Sequence, residues 1–192
     1  MKEFEKTFAP APQTKILDVG GTSYNWRLID CPSQIVILNL SLPQHIETEP
    51  NNFNFVAGNG MDLKYADLEF DVCYSNSVIE HLGSFENQIK FAAEVRRVGK
   101  KIWVQTPSRS FFFEPHFLTP FVHFLPKNVQ RKLLRNFTIW GLATRPDKDK
   151  VKNFLDEIRL LSYAEMKTLF PDCEIRKEKF LFLTKAFIAI RK

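Results

Sequence analysis

The segment Lys15-Ile16-Leu17-Asp18-Val19-Gly20-Gly21 is a short apolar run that ends in two glycines. Such a run predicts a buried β-strand that is stopped by a tight turn. Four further runs of this kind follow, at Ile35–Leu38, Phe53–Val56, Phe70–Tyr74 and Lys101–Gln105. Nearly continuous apolar strands are buried on both faces, which is typical of a parallel sheet covered by helices.

Helical patterns lie between and after these runs. Residues 85–98 carry an apolar stripe at helical spacing and are followed by Gly99, which predicts a helix that ends there; the stripe is Ile89, Ala92, Ala93, Val95 and Val98. Ser162 and Glu165 form a capping-box pattern that predicts a second helix. Glu174–Lys179 and Lys185–Arg191 then predict a closing antiparallel pair of strands. The order indicates a doubly wound, mostly parallel α/β sheet of seven strands.

The segment after the fifth strand differs from the rest. Residues 107–150 are interrupted by prolines and are too long for a simple connection, which predicts a helical insertion within a single domain of residues 1–192. We expect this insertion to form a lid over the carboxyl edge of the sheet and over an acceptor site. Within it, Asn128–Phe137 is predicted to be an amphipathic helix, with Val129, Leu133 and Leu134 on its apolar side.

Composition narrows the class of protein. Hydrophobic residues make up 44% of the 192 residues and charged residues 26%, which suits one compact domain. No apolar run reaches the roughly 20 residues of a membrane helix, and the first residues show no secretory signal. The cysteines Cys31, Cys73 and Cys173 are odd in number and widely spaced, so we expect reduced thiols in a cytoplasmic protein.

The net charge of +5 is largely local. Eight basic residues fall in one stretch: Lys127, Arg131, Lys132, Arg135, Arg145, Lys148, Lys150 and Lys152. This stretch is either a solvated helical face or a contact surface for an anionic partner. The aromatic segment Phe111–Phe124 is a local core, a substrate pocket or a membrane-facing patch, and if exposed it could meet an anionic, lipid-linked acceptor.

Several motifs resemble those of class I S-adenosylmethionine-dependent methyltransferases of type 11. Asp18-Val19-Gly20-Gly21 resembles the first glycine motif, although Thr22 and Tyr24 stand where glycines are usual. Residues 70–82, FDVCYSNSVIEHL, are similar to the fourth-strand signature almost residue by residue. The resemblance spans residues 15–107 and 160–192 and implies a Rossmann-like fold with an antiparallel C-terminal strand.

The resemblance also implies S-adenosylmethionine as cofactor and a set of residues that hold it. By position in the motifs these are Asp18, Gly20, Gly21, Asn39, Asn59, Gly60, Met61, Ser75 and Asn76. Asn39 and Asn59 stand where the family often has an acid, so hydrogen bonds from these side chains to the cofactor lack charge assistance.

Methyl transfer to a hydroxyl group requires alignment of the reactants and removal of a proton. His81, after the fourth strand, and His116, in the insertion, are candidate bases, and Glu114 could orient His116. The two histidines could face each other across the acceptor. Each could instead be structural, and His123, in an apolar context, is expected to pack. No carboxylate cluster at ligand spacing is visible, so no metal site is expected.

Three functions remain open on the sequence. The first is methylation of a small molecule or glycan, with oxygen as the expected methylated atom. The second is methylation of RNA or DNA, which the basic stretch suggests. The Ser75-Asn76-Ser77-Val78 sequence and the lack of an RNA-binding module argue against it. The third is a binding or scaffold protein with a weakened cofactor site, suggested by Thr22, Asn39 and Asn59.

Overall fold

A computed structural model describes residues 1–43 and 51–192 of the chain. In chain order, the helices and strands are α1 (Lys2–Phe8), β1 (Lys15–Val19), α2 (Ser23–Trp26), β2 (Gln34–Asn39), β3 (Phe53–Ala57), β4 (Phe70–Asn76), α3 (Phe85–Val98), β5 (Gly99–Pro107), β6 (Phe113–Glu114), β7 (Thr119–Pro120), α4 (Lys127–Phe137), α5 (Ile139–Thr144), α6 (Lys148–Glu157), α7 (Tyr163–Leu169), β8 (Glu174–Phe180) and β9 (Leu183–Arg191). Short 3-10 turns follow β4, at Ile79–His81, and β7, at Val122–Phe124.

Seven of the strands form one sheet in the order β3-β2-β1-β4-β5-β9-β8. The pairs from β3 to β5 are parallel, and β9 runs antiparallel to both of its neighbours. The doubly wound fold and its antiparallel C-terminal strand are therefore confirmed. The strand order reverses between β1 and β4, and ligands of such sheets bind beyond the carboxyl ends of the strands at that reversal.

One face of the sheet packs against α3 and α7. Helix α3 has the predicted bounds and begins at Ser84, whose hydroxyl accepts a hydrogen bond from the Asn87 amide. The predicted apolar stripe is partly wrong, because Ile89 and Ala93 are exposed. Gln88 and Phe91 are buried in addition to Ala92, Val95 and Val98. A glutamine is tolerated there because its amide nitrogen donates to the carbonyls of Ile79 and Arg159.

The other face is covered by a cluster of aromatic rings centred on α1. Phe4 is fully buried, and its ring makes edge contacts with Phe8, Trp26, Tyr74 and Trp103 at centroid distances of 5.2–5.7 Å. Both faces of the sheet are thus apolar and covered, as the continuous apolar strands predict. The N-terminal helix was not predicted, because its two buried phenylalanines are spaced among charged residues in a short segment.

The insertion after β5 is helical and separate from the main sheet. The hairpin β6–β7 forms its own two-stranded sheet, followed by α4, α5 and α6. In α4 the basic side chains face outward while Leu134 is buried and Val129 is half-buried, which confirms the predicted amphipathic helix. Pro107 is the last residue of β5 and α6 continues to Glu157, so the segment runs past the expected boundary at residue 150.

No helix within residues 1–43 and 51–192 combines the length and apolar character that crossing a membrane requires. The three cysteines are free thiols, and Cys73 is buried in the sheet.

We predict that Phe4→Ala lowers the free energy of unfolding by about 3–5 kcal/mol, because it empties a fully enclosed site among four aromatic rings. Phe182→Ala is the matched control, since the Phe182 side chain is 96% exposed and its removal creates no cavity. Urea denaturation followed by tryptophan fluorescence measures both. Equal stabilities of the two variants would show that α1 does not contribute to the core.

Candidate active site

The turn after β1 requires glycine at two successive positions for two different reasons. Gly20 has a backbone φ of +79°, and a Cβ atom there would lie 2.6 Å from a methyl group of Val78. Gly21 sits directly over Asp18, so that a Cβ atom would lie 1.8 Å from the carboxylate oxygen Oδ2. The backbone of this turn is consequently bare, and a ligand can approach it closely.

Asp18 lies fully buried beneath the turn. Its Oδ2 atom accepts a hydrogen bond of 2.7 Å from the indole nitrogen of Trp26, whereas Oδ1 has no partner among residues 1–43 and 51–192. Burial raises the pKa of Asp18 to about 7, although the hydrogen bond from Trp26 opposes the shift. Asp18 therefore supports the turn from below, where burial disfavours its charged form.

Two asparagines fix the neighbouring turns. The side-chain amide of Asn39, at the end of β2, donates to the Gly21 carbonyl at 2.9 Å. The Asn59 side-chain oxygen accepts from the Met61 backbone amide at 2.9 Å and so shapes the loop after β3. The side-chain amides of both asparagines thus stabilise local turns, and both residues lie at the carboxyl edge of the sheet.

A cavity of about 340 Å³ opens between these turns. Five of the residues predicted to hold the cofactor line it: Gly20, Asn39, Asn59, Gly60 and Met61. The other lining residues are Val19, Leu38, Leu40, Gly58, Ser77, Val78, His81, Leu82, Phe91 and Glu157. These walls fit the chemistry of S-adenosylmethionine. The bare backbone at Gly20 allows close approach, the side-chain amides can bind hydroxyl groups, and the apolar wall can pack against a purine ring.

Four of the predicted cofactor residues do not line this cavity. Asp18 and Gly21 lie outside its walls, and the hydroxyl of buried Ser75 donates to the Val19 carbonyl, which joins β4 to β1. Asn76 lines a second cavity, of about 410 Å³, together with Gln105, Phe113 and Pro115. Of the nine residues predicted to hold the cofactor, five therefore line the first cavity, three lie beneath or beside it, and Asn76 lines the second cavity.

Ser77 lies where the two cavities meet, since it lines both. Its φ of +57° places a non-glycine residue in the left-handed region, and its amide donates to the Gln105 carbonyl at 2.9 Å. Strained backbone of this kind persists where surrounding contacts hold it and is frequent at functional sites.

Glu80 and His81 follow in the 3-10 turn after β4. Glu80 is fully buried; its Oε2 atom accepts from the Thr106 hydroxyl at 2.9 Å, and Oε1 finds no hydrogen-bond donor in the described part of the chain. Burial raises the pKa of Glu80. The His81 Nδ1 atom lies 3.0 Å from the Glu157 carboxylate at the end of α6.

The hairpin β6–β7 presents His116 at its tip. Buried Glu114 contacts the His116 Nδ1 atom through Oε1, at 2.6 Å, and accepts the Phe117 backbone amide through Oε2, at 2.7 Å. Glu114 thus orients the imidazole as the sequence analysis suggested. Burial lowers the pKa of His116, but the hydrogen bond and charge of Glu114 outweigh it, and the net shift is upward.

The two histidines meet directly. The Nε2 atoms of His81 and His116 are 3.1 Å apart, and the ring planes are inclined at 83°. The expectation that they face each other across an acceptor is therefore wrong, since no acceptor fits between atoms at this distance. They form one cluster with Glu80, whose Oε1 atom lies 4.0 Å from His116 Nε2.

A partly buried polar network holds this cluster against the sheet. The Arg159 backbone amide donates to the Glu80 carbonyl at 2.7 Å, and its guanidinium donates to the Gln88 side-chain oxygen at 2.7 Å. The guanidinium also pairs with Glu165, the capping-box residue of α7. Residues from α3, α7 and the end of the insertion therefore fix the turn that carries His81.

The sequence analysis missed Glu80 and Glu157 as members of the cluster. Glu80 stands next to His81 and was quoted within the β4 motif, yet its burial was not evident from the sequence. Glu157 is the last residue of α6, and this helix extends far enough to place its carboxylate beside His81. His123 packs against Phe124 with ring centroids 4.0 Å apart, as expected, and burial lowers its pKa.

Residues 17–101 match the family model of the type 11 methyltransferase domain. Among solved structures, a methyltransferase bound to the Trm112 activator from Haloferax volcanii shares 11% identity, with a TM-score of 0.59 over 98% of this chain and 86% of that one. An S-adenosylmethionine-dependent methyltransferase from Methanosarcina mazei shares 15% identity, with a TM-score of 0.53 over 94% and 92%. One from Aquifex aeolicus shares 11%, with a TM-score of 0.55 over 98% and 86%. No curated protein sequence matches the chain.

We predict that Gly20→Ala weakens binding of S-adenosylhomocysteine by roughly tenfold or more, about 1.4 kcal/mol, because the added methyl group distorts the cavity wall at Val78. Gly83→Ala is the matched control: Gly83 has a φ of +73° but does not line the cavity. Calorimetry compares the two after urea denaturation has shown similar losses of stability. Equal affinities of the two variants for S-adenosylhomocysteine would show that Gly20 does not form part of the binding site.

Asp18 gives a pH dependence whose sign follows from its raised pKa of about 7. The folded protein retains a proton that the unfolded chain releases near pH 3.9, so the free energy of unfolding falls as the pH rises between about 4 and about 7. Asp18→Asn should reduce this slope, since an amide keeps the Trp26 hydrogen bond without titrating. Urea denaturation at a series of pH values, without cofactor, measures it, and identical slopes in both proteins would contradict the assignment.

Three observations converge on one family. The family model matches the chain from β1 to the start of β5, the fold is shared with solved methyltransferases, and the cavity lies at the reversal of strand order. Residues 17–101 therefore match the type 11 methyltransferase domain, and the chain has the fold of S-adenosylmethionine-dependent methyltransferases.

Proposed function

We propose that the chain transfers a methyl group to a hydroxyl oxygen of a small-molecule or glycan acceptor, and that the hydroxyl is activated at the His81–His116 pair. The observation that carries the proposal is the position of this pair at the wall of the cofactor cavity, which His81 itself lines. When bound, the cofactor supplies a methyl group on a positively charged sulfur, so the acceptor requires only alignment and loss of a proton.

The second cavity is the proposed acceptor site. It shares Ser77 with the cofactor cavity and is walled by the hairpin residues Phe113 and Pro115, which flank Glu114. An acceptor held there can reach the junction of the two cavities while the insertion shields it from water. Asn76 and Gln105 at the strand ends offer amide groups to the hydroxyls of a sugar.

Within the pair, His116 is the better placed to accept the proton. Its Nδ1 atom is held by the buried carboxylate of Glu114, which fixes the ring and stabilises an imidazolium. His81 is held less tightly, by the exposed carboxylate of Glu157. His116 lines neither cavity, so the proton of the hydroxyl reaches it through His81, which lines the cofactor cavity. We therefore assign His81 as the group that faces the acceptor, His116 as the imidazole that takes up and shares the proton, and Glu114 as the positioning residue of His116.

An exposed apolar rim favours a lipid-linked acceptor over a free sugar. The turn between β8 and β9 exposes Phe180, Leu181 and Phe182, and Phe180 packs edge-on against Phe111 of the second cavity with ring centroids 6.3 Å apart. Phe121 and Phe124 of the insertion are exposed as well. Aromatic residues grouped in this way suit the boundary of a membrane, where a lipid-linked acceptor resides.

The basic stretch suits the anionic part of such an acceptor. Arg131, Lys132, Arg135 and Lys148 line one groove between α4 and α6, with Asp147 as the acidic residue among them. Beside it the apolar side chains of Phe137, Ile139 and Leu142 are exposed. Positive charge next to exposed apolar side chains is the pattern of a surface that contacts anionic lipids. The three free thiols accord with a cytoplasmic location.

We predict that His116→Ala lowers the turnover number by roughly 10²–10⁴-fold, because the acceptor hydroxyl loses its base. His123→Ala is the matched control, since His123 belongs to the same insertion but lies outside the cluster. The assay follows S-adenosylhomocysteine formation with free glycans and with lipid-linked glycans presented in anionic vesicles, and calorimetry checks cofactor binding in each variant.

The result for each acceptor decides a different part of the proposal. Turnover of lipid-linked glycans alone supports the lipid-linked class, and turnover of free glycans alone contradicts it. Near-parental turnover by both His116→Ala and His81→Ala would show that neither imidazole activates the hydroxyl.

A further inference from the structure

The hydrogen bonds of His81 and His116 leave two lone pairs facing each other. Each Nδ1 atom faces a carboxylate, at 3.0 Å from Glu157 and 2.6 Å from Glu114. A carboxylate only accepts hydrogen bonds, so each Nδ1 atom carries the proton of its ring. In neutral rings both Nε2 atoms are then unprotonated, and they point at each other at 3.1 Å. Lone pairs in this arrangement repel unless a positive charge lies between them.

A third ligand atom points at the same place. The Oε1 atom of Glu80 is buried without a hydrogen-bond donor in the described ranges, and it lies 4.0 Å from His116 Nε2. All three atoms are within 4.8 Å of one another. An unpartnered carboxylate oxygen in the protein interior is unfavourable without a compensating charge. The unpartnered oxygen of Glu80 is thus a second reason to expect a cation here, independent of the two facing histidine nitrogens.

We propose that Glu80, His81 and His116 bind a divalent transition-metal ion, of which zinc is the best match. Zinc is bound by imidazole nitrogen at about 2.0–2.1 Å, and tetrahedral geometry then separates two such nitrogens by about 3.3 Å. The observed separation of 3.1 Å is close to this value. Two imidazoles and one carboxylate are a ligand set that zinc and its neighbours in the first transition row prefer over magnesium or calcium.

The surroundings have the features of a metal site beyond the three ligands. Histidine ligands usually donate their second ring nitrogen to a carboxylate, which fixes the ring and raises its basicity as a ligand. Glu114 and Glu157 accept such hydrogen bonds from the Nδ1 atoms of His116 and His81. Three carboxylates converge on two imidazoles, so the cluster carries excess negative charge in the absence of an ion when these groups are ionised.

Of the three proposed ligands, His81 lines the cofactor cavity, so we place the fourth coordination position on that side. Glu80 is fully buried, the His116 side chain is 14% exposed, and the His81 side chain, which lines the cavity, is 31% exposed. Three protein ligands with one open position are typical of catalytic zinc sites. This role rests on the proposed function: an ion held by these three residues would lower the pKa of a hydroxyl at the open position, the proton would leave to solvent water, and the ion would replace His116 as the activating group.

Residue spacing did not indicate the site, because His81 and His116 are 35 residues apart and come from different parts of the fold. The insertion folds back over the turn after β4 and completes the ligand set. The expectation of no metal site considered only carboxylate clusters at short spacing.

Calorimetric titration of the chelator-treated chain with zinc chloride tests the proposal without any acceptor. We expect one ion per chain, and at least a hundredfold weaker binding in His81→Gln and His116→Gln. Glu80→Gln should also bind more weakly while it still accepts the Thr106 hydrogen bond. Glu114→Gln, which leaves all three ligands in place, should weaken binding by roughly 10–100-fold. His123→Gln, a histidine outside the cluster, should bind as the parent does.

Substitution with cobalt(II) adds a spectroscopic measurement, since a four-coordinate site gives strong visible absorption that the His116→Gln variant should lack. Absence of stoichiometric zinc binding, or equal binding by the parent and the His81→Gln and His116→Gln variants in folded form, overturns the proposal. Neither result depends on methyl transfer. A chain that binds zinc but transfers no methyl group contradicts only the proposed function, and an active chain that binds no zinc contradicts only the metal site.

Discussion

The contact between the imidazoles of His81 and His116 is the interaction on which the arrangement of the site depends. It joins a turn of the sheet to the tip of a hairpin in the insertion, and each ring is held on its far side by a carboxylate. If the contact were absent, the hairpin that walls the second cavity and the end of α6 that walls the first would lose a shared anchor. The relation between the two cavities therefore depends on a polar contact, which requires a positive charge between the two Nε2 atoms, in addition to the apolar packing of the insertion.

The glycine turn after β1 is the second constraint, and it explains the departures from the usual glycine pattern. Thr22 is extended, with φ of −136°, and Tyr24 lies in α2 with its side chain exposed, so neither position requires glycine. The short helix α2 places Trp26 beneath the turn, where its indole N–H donates a hydrogen bond to Asp18. The first glycine motif is thus shortened and supported by an indole, while Gly20 keeps the conformation that only glycine adopts easily.

Most of the fold could be predicted because it rests on local patterns. Continuous β-branched runs identified the strands, and Gly99 marked the end of α3. Gln88 could not be predicted as buried, since its partners are carbonyls of residues 79 and 159 that only the folded chain brings together. The same reason applies to the site. Asn39, Asn59 and Met61 could be placed at strand ends from the sequence, whereas the convergence of Glu80 and Glu157 on the histidines depends on how the insertion folds back.

We propose that the cavity between Gly20 and Met61 is the cofactor site and that the methyl group is delivered at the histidine pair. A crystal structure of the chain with S-adenosylhomocysteine tests this most directly. We expect the adenosine to lie against Leu38 and Met61 and the sulfur to lie at the Ser77–His81 end of the cavity, facing the histidine pair. A ligand whose sulfur lies at the Leu40 end, or one bound outside this cavity, would contradict it.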